Sequence, residues 1–146
     1  MKMKRARSSL WGWFGLLAVI LISPASIAGD KKHAPENLAG STLVDADWVK
    51  RALDQKEPLL IIDSRIKDEY LDGHLPGAVH LNADNLDLYR EVLPADKEHP
   101  VLFYCNGPKC LKSHKAAALA IEWGYRKVYW FRGGIPEWSS LGYPVE

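Results

Sequence analysis

"PVLFYC", Pro100 to Cys105, runs directly into "NGPKCLKSHKAAALA", Asn106 to Ala120. An unbroken apolar run, a short Gly-Pro loop and an alanine-rich pattern follow one another. That order reads as a buried strand, a loop and a helix, the unit from which parallel sheets are built. Cys105 and Cys110, the only two cysteines of the chain, bound the loop. Cys105 falls at the carboxyl end of the strand, where open α/β sheets place their ligands.

Outward from this unit the pattern repeats. "LLIID", Leu59 to Asp63, and "KVYWF", Lys127 to Phe131, are further buried strands. "STLV" from Ser41 and "AVHLN" from Ala78 are shorter strand candidates. Asp45 can cap a helix over Ala46–Gln55. Lys67–Leu71 is a short helix stopped by Gly73. "ADNLDLYREVLP", Ala83 to Pro94, reads as helical, with Pro94 as its stop. Leu111–Trp123 is a helix ended by Gly124. "RGGIPEWSSLGYPV", from Arg132, holds a turn, one or two helical turns and a tail; Gly133 and Gly134 let the chain pass near the cysteine loop. Alternating strands and helices predict an α/β domain with a parallel sheet and helices on both faces.

The first 28 residues are of another kind. A basic start, an apolar run from Leu10 to Ile22, and Ser26 and Ala28 before Gly29 match a secretory signal peptide, residues 1–28. The run is short for a membrane span, which needs about 20 residues. An uncleaved anchor facing the periplasm is the alternative, and only then would the membrane be a partner. Residues 29–40 are polar and read as a linker, and 41–146 as the domain. Loss of Lys2, Lys4, Arg5 and Arg7 leaves 15 basic residues against 18 acidic, a net charge of −3. No basic stripe interleaved with aromatics is present, which argues against nucleic acid. In an exported, most simply periplasmic, protein the cysteine pair meets an oxidising compartment.

A thiolate at Cys105 would be favoured by three features. The helix that follows points N–H groups and its positive end at the loop. Gly107 lets successive amides converge. Lys109 and Lys112 add positive charge. The other reading of Cys105 is a small buried hydrophobe at a strand end. The pairing with Cys110 favours reactivity: the spacing permits a disulfide, and so short a ring gains little stability from one.

Three blocks in order resemble the rhodanese (sulfurtransferase) family: "LLIIDSRIKDEYLDGHLPGAVHLN", "VLFYC…KSHKAAALAIEWGY" and "KVYWFRGGIPEWSSLGYPV". The resemblance implies a five-stranded parallel sheet flanked by helices on both faces. It implies that Cys105 accepts sulfane sulfur as a persulfide and passes it to a thiol or a cyanide-like acceptor. No metal and no organic cofactor is implied. Asn106, Gly107, Pro108, Lys109, Leu111, Lys112 and Ser113 would form the anion-binding loop. Relative to the family the loop is two residues longer and has Lys112 for arginine. It also carries Cys110, which could resolve the persulfide as a disulfide. Leu111 stands where the related phosphatases need arginine. Asp63, Arg65, Glu69 and His74 are read as supporting residues, with Arg65 pairing Glu69 to hold the "GHLPGA" turn and His74 bonded to nearby backbone. His114 is read as facing solvent, and Trp130 or Phe131 as a pocket wall. His33, His80 and His99 are too scattered for a metal site. Two rival functions are a thiol–disulfide protein cycling Cys105–Cys110 and a binding module on an inactive scaffold.

Overall fold

The computed structural model describes residues 33–85 and 88–146. The expected signal peptide or anchor lies outside the described residues, as do Leu86 and Asp87. No helix among the described residues is long and apolar enough to cross a membrane.

Five strands form one parallel sheet: β1 (Ser41–Leu43), β2 (Leu60–Asp63), β3 (Val79–His80), β4 (Val101–Tyr104) and β5 (Val128–Phe131). Their spatial order is β1-β5-β4-β2-β3, and each neighbouring pair is parallel. β4 is central and buried along its whole length, which is why it reads as an unbroken apolar run rather than an alternating one. Its side chains divide between two cores. Val101 and Phe103 pack with Ala116, Ala117 and Ala120, while Leu102 and Tyr104 pack with Val49 and Trp138.

The helices are α1 (Ala46–Asp54), α2 (Lys67–Leu71), α3 (Tyr89–Val92), α4 (Lys112–Glu122) and α5 (Gly134–Ser140). α3 and α4 contribute to the first core, α1 and α5 to the second. The Asp45 side chain caps α1 by accepting from the Trp48 amide at 2.8 Å. The alanine face of α4 lets the helix lie close on the sheet.

Of the helix expected over Ala83–Pro94, the described residues show the turn Tyr89–Val92, with Leu86 and Asp87 outside them, and Ala83–Asn85 are not helical. The reason is local. Asn82 accepts the Asp84 amide through its side chain at 3.1 Å and the Asn85 amide through its carbonyl at 3.0 Å. This turn chemistry competes with a helix start. β3 is also shorter than "AVHLN" suggested: the Leu81 amide makes the last ladder bond, donating to the Asp63 carbonyl at 2.9 Å, and β2 ends at Asp63 with nothing further to pair.

Tyr89 anchors α3. It is fully buried, and its hydroxyl donates to the Leu81 carbonyl at 2.5 Å. Burial pushes its phenol from 10.0 up to about 12. Below pH 10 the phenol is protonated whether the chain is folded or not. Above it the unfolded chain loses the proton first, so unfolding gains ground as pH rises from 10 towards 12. Burial raises Tyr104 as well. The urea midpoint is therefore expected to fall across this window, and to fall less steeply in Tyr89→Phe.

Candidate functional site

The register places the site. Asp63 lies beside Tyr104, and Tyr104 beside Phe131, so β2, β4 and β5 end level. The chain segments that leave them, from Ser64, Cys105 and Arg132, emerge side by side at the carboxyl edge of the sheet. Gly134 brings the third segment into direct contact with the second. It adopts φ +57°, and a Cβ there would stand 2.0 Å from the Cys105 carbonyl oxygen. Gly133 is crowded too, by the Glu137 side chain. The amide of Ile135 donates to the same Cys105 carbonyl at 3.1 Å.

Cys105 and Cys110 are joined as a disulfide, with their Cα atoms 6.3 Å apart. The loop between them is folded by a turn in which the Cys110 amide donates to the Gly107 carbonyl at 3.0 Å. Gly107 takes φ +90°, a conformation that disfavours any side chain. Asn106, Pro108, Lys109 and Leu111 are exposed, and Cys110 is half-buried. Cys105 itself is only 1% exposed. In the oxidised form Cys105 is therefore as buried as the alternative reading, a small residue closing a strand end, requires, and the partly exposed member of the pair is Cys110.

The positive charge expected around the sulfur is partly spent elsewhere. Lys112 reaches Asp84 at 3.2 Å. Ser113 is buried, and its hydroxyl accepts from the Trp130 indole N–H at 3.1 Å, docking α4 on β5. His114 lies edge-on to Trp130, with ring centroids 5.3 Å apart, rather than standing in solvent. Burial lowers its pKa, so it is neutral at pH 7 and adds no charge to the loop. Trp130 and Phe131 are fully buried core residues.

The supporting residues form a second layer. Asp63, fully buried, receives the Arg65 guanidinium at 3.0 Å and 2.7 Å, the Arg65 amide at 3.0 Å and the Tyr104 hydroxyl at 2.6 Å. Arg65 also donates to the Gly73 carbonyl at 2.7 Å, and the Leu75 amide donates to Tyr104 at 3.1 Å. Arg65 therefore does hold the "GHLPGA" turn, but through Asp63 and not through Glu69. Two residues apart at a strand end, the carboxylate and guanidinium close a fork that the helical spacing to Glu69 cannot offer. Glu69 is free to act elsewhere. One oxygen accepts from the Ile66 amide at 3.3 Å and the other from the Asn106 amide side chain at 2.6 Å, tying α2 to the cysteine loop. His74 donates through Nδ1 to the Tyr70 carbonyl at 2.9 Å and stacks on the Tyr70 ring.

Among the described residues no group of three or more His, Cys, Asp or Glu side chains is placed to hold a metal. The arrangement joins two sulfurs that, once reduced, would be thiols within bonding reach of each other. Such a pair has the chemistry for thiol–disulfide exchange and, when reduced and ionised, for attack on an electrophilic sulfur.

Comparison with known proteins agrees with this architecture. Residues 45–141 match the family model described as Rhodanese-like domain. The thiosulfate sulfurtransferase GlpE of Coxiella burnetii is 36% identical over 86 residues, 59% of this chain and 77% of that protein. A sulfurtransferase of Allochromatium vinosum is 28% identical over 102 residues, 70% of this chain and 92% of that one. The solution structure of a rhodanese-like domain from Anabaena sp. superposes with a TM-score of 0.61 at 27% identity, covering 71% of this chain and 77% of that one.

Proposed function

The chain belongs to the rhodanese-like family, whose relatives include named sulfurtransferases, and on that premise we propose that it carries sulfane sulfur as a persulfide on Cys105. The observation that carries this reading is the position of Cys105 at the end of the central strand, opening a loop that contains its own second thiol. We place the protein in an exported, periplasmic setting, in keeping with the signal-like first 28 residues and with the disulfide.

The cycle starts with reduction of the disulfide by an external thiol. Cys105 thiolate then attacks the outer sulfur of a sulfane donor. With thiosulfate, the substrate named for the Coxiella relative, the sulfur–sulfur bond breaks and sulfite leaves with the electron pair. The persulfide has two exits. A thiol or cyanide-like acceptor can take the outer sulfur and return Cys105 thiolate. Alternatively Cys110 thiolate attacks the Cys105 sulfur and hydrosulfide leaves. The disulfide is then restored: two thiols are oxidised and the sulfane sulfur is reduced to sulfide.

The disulfide also favours a second reading, a thiol–disulfide exchange protein that never holds sulfane sulfur. One measurement separates them. Reduced protein is treated with thiosulfate or polysulfide and its intact mass recorded. The Cys110→Ser variant is expected to gain and keep one sulfur atom at Cys105. Wild type is expected to release sulfide and return to the disulfide. No sulfur gain in the variant and no sulfide from wild type, with Cys105 open to alkylation after reduction, would sink the proposal and leave the exchange reading.

A further inference from the structure

Residues 34–35, read from sequence as part of the linker 29–40, are built into the site. Ala34 is buried, and its N–H donates to the Pro108 carbonyl at 2.7 Å, in the middle of the cysteine loop. Arg132 grips the same stretch from the other side. Its Nε donates to the Pro35 carbonyl and its Nη2 to the Ala34 carbonyl, both at 2.9 Å. Arg132 directly follows β5 and precedes the two glycines on which the loop rests. Three hydrogen bonds thus tie residues 34–35 across the loop, like a strap buckled to the end of β5. This strap lies outside residues 45–141, the span that the family model matches.

We propose that Arg132 is a positioning residue which, through this strap, holds the cysteine loop in the geometry that favours the Cys105–Cys110 disulfide. The inference rests on the reading of the pair as the reactive site. Its physics is a difference in freedom. In the oxidised protein the loop is already closed by a covalent bond, and the strap restrains it little further. In the dithiol the strap supplies much of the restraint that keeps Cys110 near Cys105. Removing it lets the reduced loop sample more conformations than the oxidised one, which stabilises the dithiol relative to the disulfide. The fork of Arg132 suits this task because two donors in one plane engage two consecutive carbonyls.

The test is an equilibrium between the protein and glutathione. Each turnover oxidises the two thiols of the pair and reduces one glutathione disulfide to two glutathiones, a balanced transfer of two electrons and two protons. Full-chain wild type, Arg132→Ala, Arg132→Lys and Ala34→Asp are equilibrated over a range of glutathione ratios, and the disulfide fraction is read by alkylation and mass. Ala34→Asp expels the strap by putting a charge where the methyl is buried, and it leaves Arg132 intact. In Arg132→Ala and Ala34→Asp, half-oxidation is expected to require a ratio about three- to tenfold more oxidising, the worth of one or two hydrogen bonds. Tenfold corresponds to about 30 mV. Arg132→Lys should fall between, since an ammonium lacks the fixed fork. Unchanged midpoints in Arg132→Ala and Ala34→Asp would overturn the proposal. So would a shift in Arg132→Ala with none in Ala34→Asp, because the strap would then play no part. Should Arg132→Ala fail to fold, Ala34→Asp alone decides. The readout needs no sulfur transfer, so its outcome is independent of the persulfide experiment.

Discussion

Asp63→Ala is expected to cost about 3–5 kcal/mol of folding stability, as removal of one partner of a buried ion pair does. Asp63 is wholly buried and Arg65 is 4% exposed. Without the carboxylate the guanidinium keeps only the Gly73 carbonyl, and the Tyr104 hydroxyl loses its acceptor. Neither group can turn to water. Domains of this size are stable by about 5–15 kcal/mol, so the loss is a large share of the whole. The surface pair Lys50–Asp54 makes the contrast. Its contact is as short, 2.5 Å, but Asp54 is 61% exposed. An exposed helix pair is worth about 0.3–0.5 kcal/mol, so Asp54→Ala should be barely visible. Urea unfolding of both variants checks this: a midpoint far below wild type at similar slope for Asp63→Ala, and one close to wild type for Asp54→Ala. Equal midpoints for the two would show that the buried network contributes little.

Gly134→Ala strikes the site itself. The added carbon would lie 2.0 Å from the Cys105 carbonyl oxygen and 2.9 Å from the Gly107 nitrogen. Both are main-chain atoms, so no side chain can swing aside. The segment after β5 must lift off the cysteine loop and lose the Ile135 hydrogen bond. Left-handed backbone costs alanine about 1–2 kcal/mol, and overpacking about 1–3 kcal/mol more. A displacement near 1 Å at a nucleophile can slow chemistry about a hundredfold. The rate of sulfur loading by reduced Cys105 should therefore fall about a hundredfold, with a clear loss of thermal stability. Gly142→Ala is the control. It shares the positive φ, +71°, but nothing lies within 4 Å of its added carbon. Only the backbone cost applies there, and loading should stay near wild type.

The three inner strands were legible because burial on both faces leaves a local signature, an apolar run such as "VLFY". α1 was legible through Asp45, whose side chain meets its own next turn. Cys105 stood out because strand, loop and helix were each recognisable. The rest depends on what folding brings together from afar. Glu69 meets Asn106 across 37 positions, and Arg132 meets Pro35 across 97. No periodicity marks either. Arg65 had two carboxylates within reach along the chain, and only the path of the backbone after β2 selects Asp63. The cation at Lys112 was visible, but the acid at Asp84 that draws it aside was not. The burial of Cys105 has the same origin: the α5 turn lies against its carbonyl and Cys110 is bonded to its sulfur, and neither leaves a mark on the strand.

The strand order also sets a timetable. Among the described residues β1 is the first strand to leave the ribosome, and its neighbour is β5, with Ser41 opposite Val128. Until β5 has been synthesised, that edge lacks the partner it has in the folded domain. A topology of such distant contacts folds slowly, since long loops must close before any pairing rewards them. The nascent sheet therefore stays incomplete until β5 arrives, and for that interval it is open to chaperones and to proteolysis.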